Sequence, residues 1–159
     1  MWIDLGEYIT NYCYSSISNH SVSKEDINKY NISKDNIKNI KNLGNSCKVI
    51  EIAIGKFFSV ADYLKNYNPS IIDFTATDIN PDNPNIVFDD VTNPDMNIYN
   101  GADIIYSIRP PQELQPYIAS VVAKTGAILI IKPLFNEDLN INFPMKLVNY
   151  KKAVFYQSI

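Results

Sequence analysis

From residue 48 onward, short apolar runs alternate with segments of helical spacing, and this alternation constrains the fold more than any other feature. KVIEIA (48–53) reads as a strand, and KFFSVADYLKNY (56–67) then sets Phe57, Val60, Ala61 and Leu64 at helical intervals. IIDFTATD (71–78), NIVFDD (85–90) and ADIIYSI (102–108) are further strand readings. PPQELQPYIASVVAKTG (110–126) reads as a helix, with proline near its start and Gly126 at its end. AILIIK (127–132) is almost continuously apolar, the pattern of a parallel strand covered on both faces. The tail, KLVNYKKAVFYQSI, reads as two strands around a tight Lys151–Lys152 turn. The alternation therefore predicts an α/β fold: a mostly parallel central sheet flanked by helices, closed by a C-terminal antiparallel β-hairpin. The parallel strands are expected near 48–53, 72–77, 86–88, 103–107 and 127–132, and the antiparallel pair at 146–150 and 153–157.

Ahead of this core, Trp2, Leu5, Ile9, Tyr12 and Cys13 recur at three- and four-residue steps, the stripe of an amphipathic helix. Ser23 can cap a helix from about 24 to 31. Ser33 can cap another from about 34 to 42, with Gly44 just beyond its end. The expected organisation is one domain over 1–159: an N-terminal helical segment, 1–44, on an α/β core, 45–159. At 159 residues and 46% apolar content, such a chain can bury a sizeable core.

Composition narrows the function classes. No run approaches the length of an apolar membrane span. MWIDLGEYIT carries acids and no basic stretch, unlike a secretory signal. A cytoplasmic chain is expected, with Cys13 and Cys47 as free buried thiols, too isolated for a disulfide framework or a metal site. The net charge of −3 disfavours a protein held on nucleic acid by phosphate contacts alone, though it leaves room for a small basic patch. The lysines between 24 and 48 are interrupted by Glu25, Asp26 and Asp35 and read as a solvated helix face. The expected partner is a small-molecule nucleotide cofactor.

Parallel sheets bind ligands at the carboxyl ends of their strands. The residues ending successive strands are Ala53–Gly55, Asp78, Asp89–Asp90 and Ser107–Pro111, so they are expected to converge on one cleft. Only INPDNPN separates Asp78 from Ile86, short for a parallel crossover, which predicts an irregular link and a thinly covered sheet edge.

Each strand end carries its own chemistry. Gly55 lets backbone approach a ligand, although a dinucleotide fingerprint wants three glycines there. Asp78 follows Gly55 by 23 residues, where a carboxylate offers two acceptors to a ribose diol. Its structural alternative is a turn-forming acid. Asp89 or Asp90 can accept from an adenine amino group or cap a helix. With His20 the only histidine, no metal site is expected. Arg109 is the only arginine, against 13 lysines, and lies before Pro110 and Pro111. Its guanidinium either binds a carboxylate or phosphate bidentately or forms a buried ion pair with Glu51 or Asp90.

The order VIEIAIGKFFSVADYL, FTATDIN, FDDVTNP, ADIIYSIRPPQEL resembles the archaeal uncharacterised protein family 0146, itself similar to a reduced class I S-adenosylmethionine-dependent methyltransferase of Rossmann-like fold. The resemblance covers roughly residues 46–132; the segment around 20–43 has no counterpart in it. It implies that Glu51, Ala53 and Gly55 lie near the methionine part of the cofactor, that Asp78 takes the ribose hydroxyls, and that Asp89–Asp90 reach the adenine. Ser107, Arg109, Pro110 and Pro111 would face the substrate. Ala53 and Phe57 stand where that motif commonly has glycines, and Phe57 either crowds the amino-acid end of the cofactor or points into the core. No catalytic base stands out. The expected reading is a methyltransferase-like S-adenosylmethionine binder. The alternatives are a non-catalytic nucleotide-binding regulatory or scaffold module, or an NAD binder, against which the missing glycines count.

Overall fold

The structure is a computed structural model describing residues 1–21, 46–67, 69–134 and 138–159. The two helices expected between 24 and 42 lie outside the described residues.

Among the described residues, seven strands form one sheet: β1 (Cys47–Ile52), β2 (Ile72–Asp78), β3 (Val87–Phe88), β4 (Ile104–Ile108), β5 (Ile128–Lys132), β6 (Met145–Tyr150) and β7 (Ala153–Ser158). Their order is β3-β2-β1-β4-β5-β7-β6. Strands β1 to β5 are mutually parallel, and β7 runs antiparallel to both β5 and β6. The first five follow the strand order of dinucleotide-binding folds, with the point of reversal between β1 and β4. β1 is central, pairing Cys47–Ile52 with Ile72–Thr77 on one side and Val49–Glu51 with Ile104–Tyr106 on the other. The fold is thus a Rossmann-like α/β architecture with a C-terminal antiparallel hairpin and an N-terminal helix. Among the described residues, no helix is long and apolar enough to cross a membrane.

Helices cover both faces. On one lie α1 (Trp2–Ser21) and α2 (Ser59–Tyr67); on the other lie α3 (Met96–Tyr99) and α4 (Gln115–Thr125). Leu5, Ile9, Cys13 and Ile17 recur every fourth residue along α1 and pack with Val49, Leu64, Ile104 and Phe155. Gly6 lets α1 approach α2 closely: a Cβ there would run into the Tyr63 ring. The opposite layer joins Ile50, Ile52, Ile105 and Leu129 to Tyr99, Ile118 and Val122. Each fully buried Leu or Ile contributes roughly 1.5–3 kcal/mol of transfer free energy, so both layers are needed to hold the sheet.

Two local expectations meet different outcomes. The β2–β3 link does cross without a helix, and β3 is two residues long with Val87 and Phe88 exposed. The free-thiol reading is corrected: Cys13 and Cys47 form a disulfide that ties α1 to the first residue of β1. Sequence spacing suggested isolation, but the α1 stripe docks Cys13 directly against the strand.

Candidate strand-end site

The turn after β1 is left-handed twice. Ala53 has φ 57° and Gly55 φ 60°. Ala53 therefore occupies a conformation that a glycine adopts freely and that costs an alanine roughly 1–2 kcal/mol. The turn is held from β2: the Gly55 N–H donates to Asp78 Oδ2 at 2.8 Å and the Asn80 N–H to Asp78 Oδ1 at 2.8 Å. Two carboxylate oxygens offer about four acceptor positions, so one remains on each. Asp78 is both a clamp between two strand ends and a paired acceptor facing the cleft.

Asp89 and Asp90 point to different tasks. Asp89 is buried and accepts from the Asp95 N–H at 2.9 Å and from the Tyr99 hydroxyl, which also reaches Thr77. It fixes the loop to α3. Asp90 uses one oxygen only: Oδ1 accepts from the Thr92 N–H at 2.9 Å and the Thr92 hydroxyl at 2.7 Å. Those bonds hold its carboxyl below the usual carboxylate range. Asp78, Asp89 and Asp90 line one cleft of about 380 Å³ with Ile52, Ala53, Thr77, Ile79, Val91, Thr92, Pro111 and Leu114. The lining is mostly carbon, with carboxylates from two neighbouring strands, a combination suited to a planar base and its sugar.

Glu51 and Ser107 face inward. Glu51 is 1% exposed, and its Oε2 accepts from the Tyr106 hydroxyl at 2.7 Å across the β1–β4 pair. Its Oε1 has no hydrogen-bond partner among the described residues. Burial pushes this carboxyl up to about 8, against smaller downward pulls from the Tyr106 hydrogen bond and Lys65. Ser107 is buried, and its hydroxyl donates to the Ile52 carbonyl at 2.7 Å. That bond positions β4 against β1.

Arg109 answers neither expectation about an ion pair. Glu51 is bound to Tyr106 and Asp90 to Thr92, and among the described residues Arg109 enters no salt bridge. Its backbone is left-handed, φ 54°, and its N–H donates to the Lys132 carbonyl at 2.7 Å. The guanidinium instead lies 5.2 Å from the Trp2 ring centroid and 5.3 Å from that of Phe57. Phe57 packs on Trp2 at 4.6 Å and joins the α1 layer of the core. Pro110 and Pro111 continue from Arg109 and line, with Gln112, Glu113 and Leu134, a second groove of about 520 Å³. Pro111 borders both clefts.

Sequence reasoning did not single out Trp2, Thr92, Tyr99, Tyr106 or Lys132. Trp2 enters only as part of the apolar stripe of α1, and Tyr106 only inside the strand run ADIIYSI. Only the strand register marks Lys132, which pairs with Ile108 beside Arg109.

Comparison with solved structures finds an S-adenosyl-L-methionine methyl transferase from Silicibacter pomeroyi, 8% identical, with a TM-score of 0.45 over 79% of this chain and 88% of that one. Among curated proteins, the UPF0146 protein of Methanothermobacter thermautotrophicus is 45% identical over 120 residues, 76% of this chain and 89% of that relative. The UPF0146 protein of Methanocaldococcus jannaschii is 43% identical over 128 residues, again 76% of this chain and 89% of the relative. That of Archaeoglobus fulgidus is 41% identical over 113 residues, 69% and 82% of the two chains. The model of the uncharacterised protein family UPF0146 matches residues 33–159, the whole α/β core, and the chain belongs to that archaeal family.

Proposed function

We propose that the cleft between the ends of β1, β2 and β3 binds the adenosine of S-adenosylmethionine, making the chain a methyltransferase-like protein. The observation that carries this reading is the placement of Asp78 and Asp90 in one apolar cleft, each with acceptor capacity left over. Asp78 would accept both ribose hydroxyls through the free position on each oxygen. Asp90 would accept the adenine amine through Oδ2, its other oxygen being held by Thr92. Ile52, Ile79, Val91 and Leu114 would cover the purine faces. When bound, S-adenosylmethionine supplies an electrophilic methyl group, and the chain's own work is then alignment and exclusion of water.

One observation favours a non-catalytic nucleotide-binding module as the second reading. Glu51, the acid nearest the turn after β1 in sequence, is buried and bonded to Tyr106, and Ser107 is bonded to β1. No candidate base stands free among these residues. NAD would use the same ribose acceptor but lacks the three-glycine turn.

Calorimetric titration with S-adenosylmethionine, S-adenosylhomocysteine, adenosine and NAD tests the proposal. The expected result is binding of the sulfur nucleosides, weakened about ten- to a hundredfold by Asp78→Ala, the loss of a charge-assisted hydrogen bond of roughly 1.5–3 kcal/mol. Asp90→Asn leaves the Thr92 bonds to one oxygen in place and should weaken adenine-containing ligands similarly. Absence of binding by the parent chain, or an affinity unchanged from the parent in both variants, would reject the assignment.

A further inference from the structure

The two cations at the ends of β4 and β5 are brought together without a counter-ion among the described residues. Register pairs Ile108 with Lys132, and the next residue, Arg109, donates its N–H to the Lys132 carbonyl. Both cationic groups approach the same indole: the guanidinium at 5.2 Å and Lys132 Nζ at 6.0 Å from the Trp2 centroid. Among the described residues neither enters a salt bridge, although three such bridges form elsewhere. Lys132 Nζ makes a long contact, 3.4 Å, to the Pro133 carbonyl. Burial and the neighbouring Arg109 both push its ammonium below the ordinary lysine range.

Two like charges held side by side repel, and the arrangement is imposed by the backbone. Arg109 takes a left-handed φ of 54°, unfavourable for a residue with a Cβ, and two prolines fix the chain beyond it. A relaxed strand end would let the arginine swing away from the lysine. The aromatic faces of Trp2 and Phe57 hold the guanidinium laterally without neutralising it. One carboxylate, Glu113, lines the adjoining groove and is exposed without pairing to Arg109. That groove meets the adenosine cleft at Pro111.

We propose that Arg109 and Lys132 form a binding site for the anionic group, phosphate or carboxylate, of a small second substrate seated beside the strand-end cleft. A planar guanidinium with an ammonium beside it can take two oxygens of such a group bidentately and contact a third. This inference rests on the cofactor reading only for the word substrate; the anion site itself is testable without cofactor.

Trp2 is the sole tryptophan and lies against both cations, so its fluorescence reports the site directly. The experiment titrates the full chain with inorganic phosphate and, separately, with succinate, at ionic strength held constant with sodium chloride. A saturable change with either anion is expected, and the stronger of the two identifies the chemistry. Arg109→Lys and Lys132→Gln should each weaken it at least tenfold while the far-ultraviolet circular dichroism stays native. Repeating the phosphate titration with saturating S-adenosylhomocysteine should leave the affinity unchanged. No saturable change, an equal response to chloride alone, or unaltered affinity in both folded variants would overturn the anion site. Competition by S-adenosylhomocysteine would overturn its assignment to a second substrate. Failure of the cofactor reading would show in calorimetry with the nucleosides and would leave this titration as it stands.

Discussion

Replacing Glu51 by glutamine should make the protein more stable at alkaline pH and be nearly neutral in effect below about pH 4.5. Glu51 is 1% exposed and, among the described residues, has one hydrogen bond, from Tyr106, with Oε1 unpartnered. Its carboxyl is raised from 4.5 to about 8, chiefly by burial. A folded-state value above the unfolded one means that the folded chain retains a proton the unfolded chain releases. Stability therefore falls as pH rises through that window, with no penalty below 4.5 and the full penalty above about 8. At about 1.4 kcal/mol per pH unit, the full penalty is roughly 4–5 kcal/mol. Glutamine keeps the shape and an acceptor for Tyr106 but cannot ionise, so it removes the penalty and leaves other titrations common to both proteins. Urea denaturation of parent and Glu51→Gln from pH 5 to 9 is the assay, plotted as the difference in unfolding free energy. The difference should climb in favour of the variant, steepest between pH 5 and 8. Parallel profiles would refute the reasoning, because they would mean that Glu51 is solvated or already paired with a cation.

Two further outcomes follow from individual contacts. The Cys13–Cys47 bridge closes a sequence separation of 34 residues, so the Cys13→Ser/Cys47→Ser variant should lose roughly 3–4 kcal/mol in denaturant unfolding. Two alkylatable thiols in the unreduced, unfolded parent would contradict the bridge. Tyr99→Phe removes the donor that the buried Asp89 Oδ2 accepts, and should lower stability by roughly 1–3 kcal/mol; an unchanged urea midpoint would show that Asp89 finds another partner.

The sheet was legible because its parallel strands are short apolar runs. Parallel strands buried on both faces leave few other patterns for AILIIK or ADIIYSI. The short crossover after Asp78 was legible for a related reason: seven residues rich in Asn and Pro have no room for a helix. Asp78 was legible from its distance to Gly55, since spacing is what brings two strand ends together. Side-chain direction was less so. Whether Asp89 or Asp90 faces the cleft depends on a two-residue strand and on where Tyr99 falls after the turn. Glu51 and Ser107 sit among strand-end residues, yet pairing across β1 and β4 turns both inward. The partners of Arg109 could not be read at all, because Trp2 reaches it through the docking of α1 and Phe57 through the turn after β1. The disulfide escaped for the same reason: helix docking, not local sequence, joins Cys13 to Cys47.

The most direct test of the central claim is amide chemical-shift mapping of S-adenosylhomocysteine on isotope-labelled protein. The account predicts that the largest shifts cluster at Ala53, Gly55, Asp78, Asn80, Asp90, Val91 and Thr92, the backbone around one cleft. Shifts confined to another surface, or none at millimolar ligand, would contradict it.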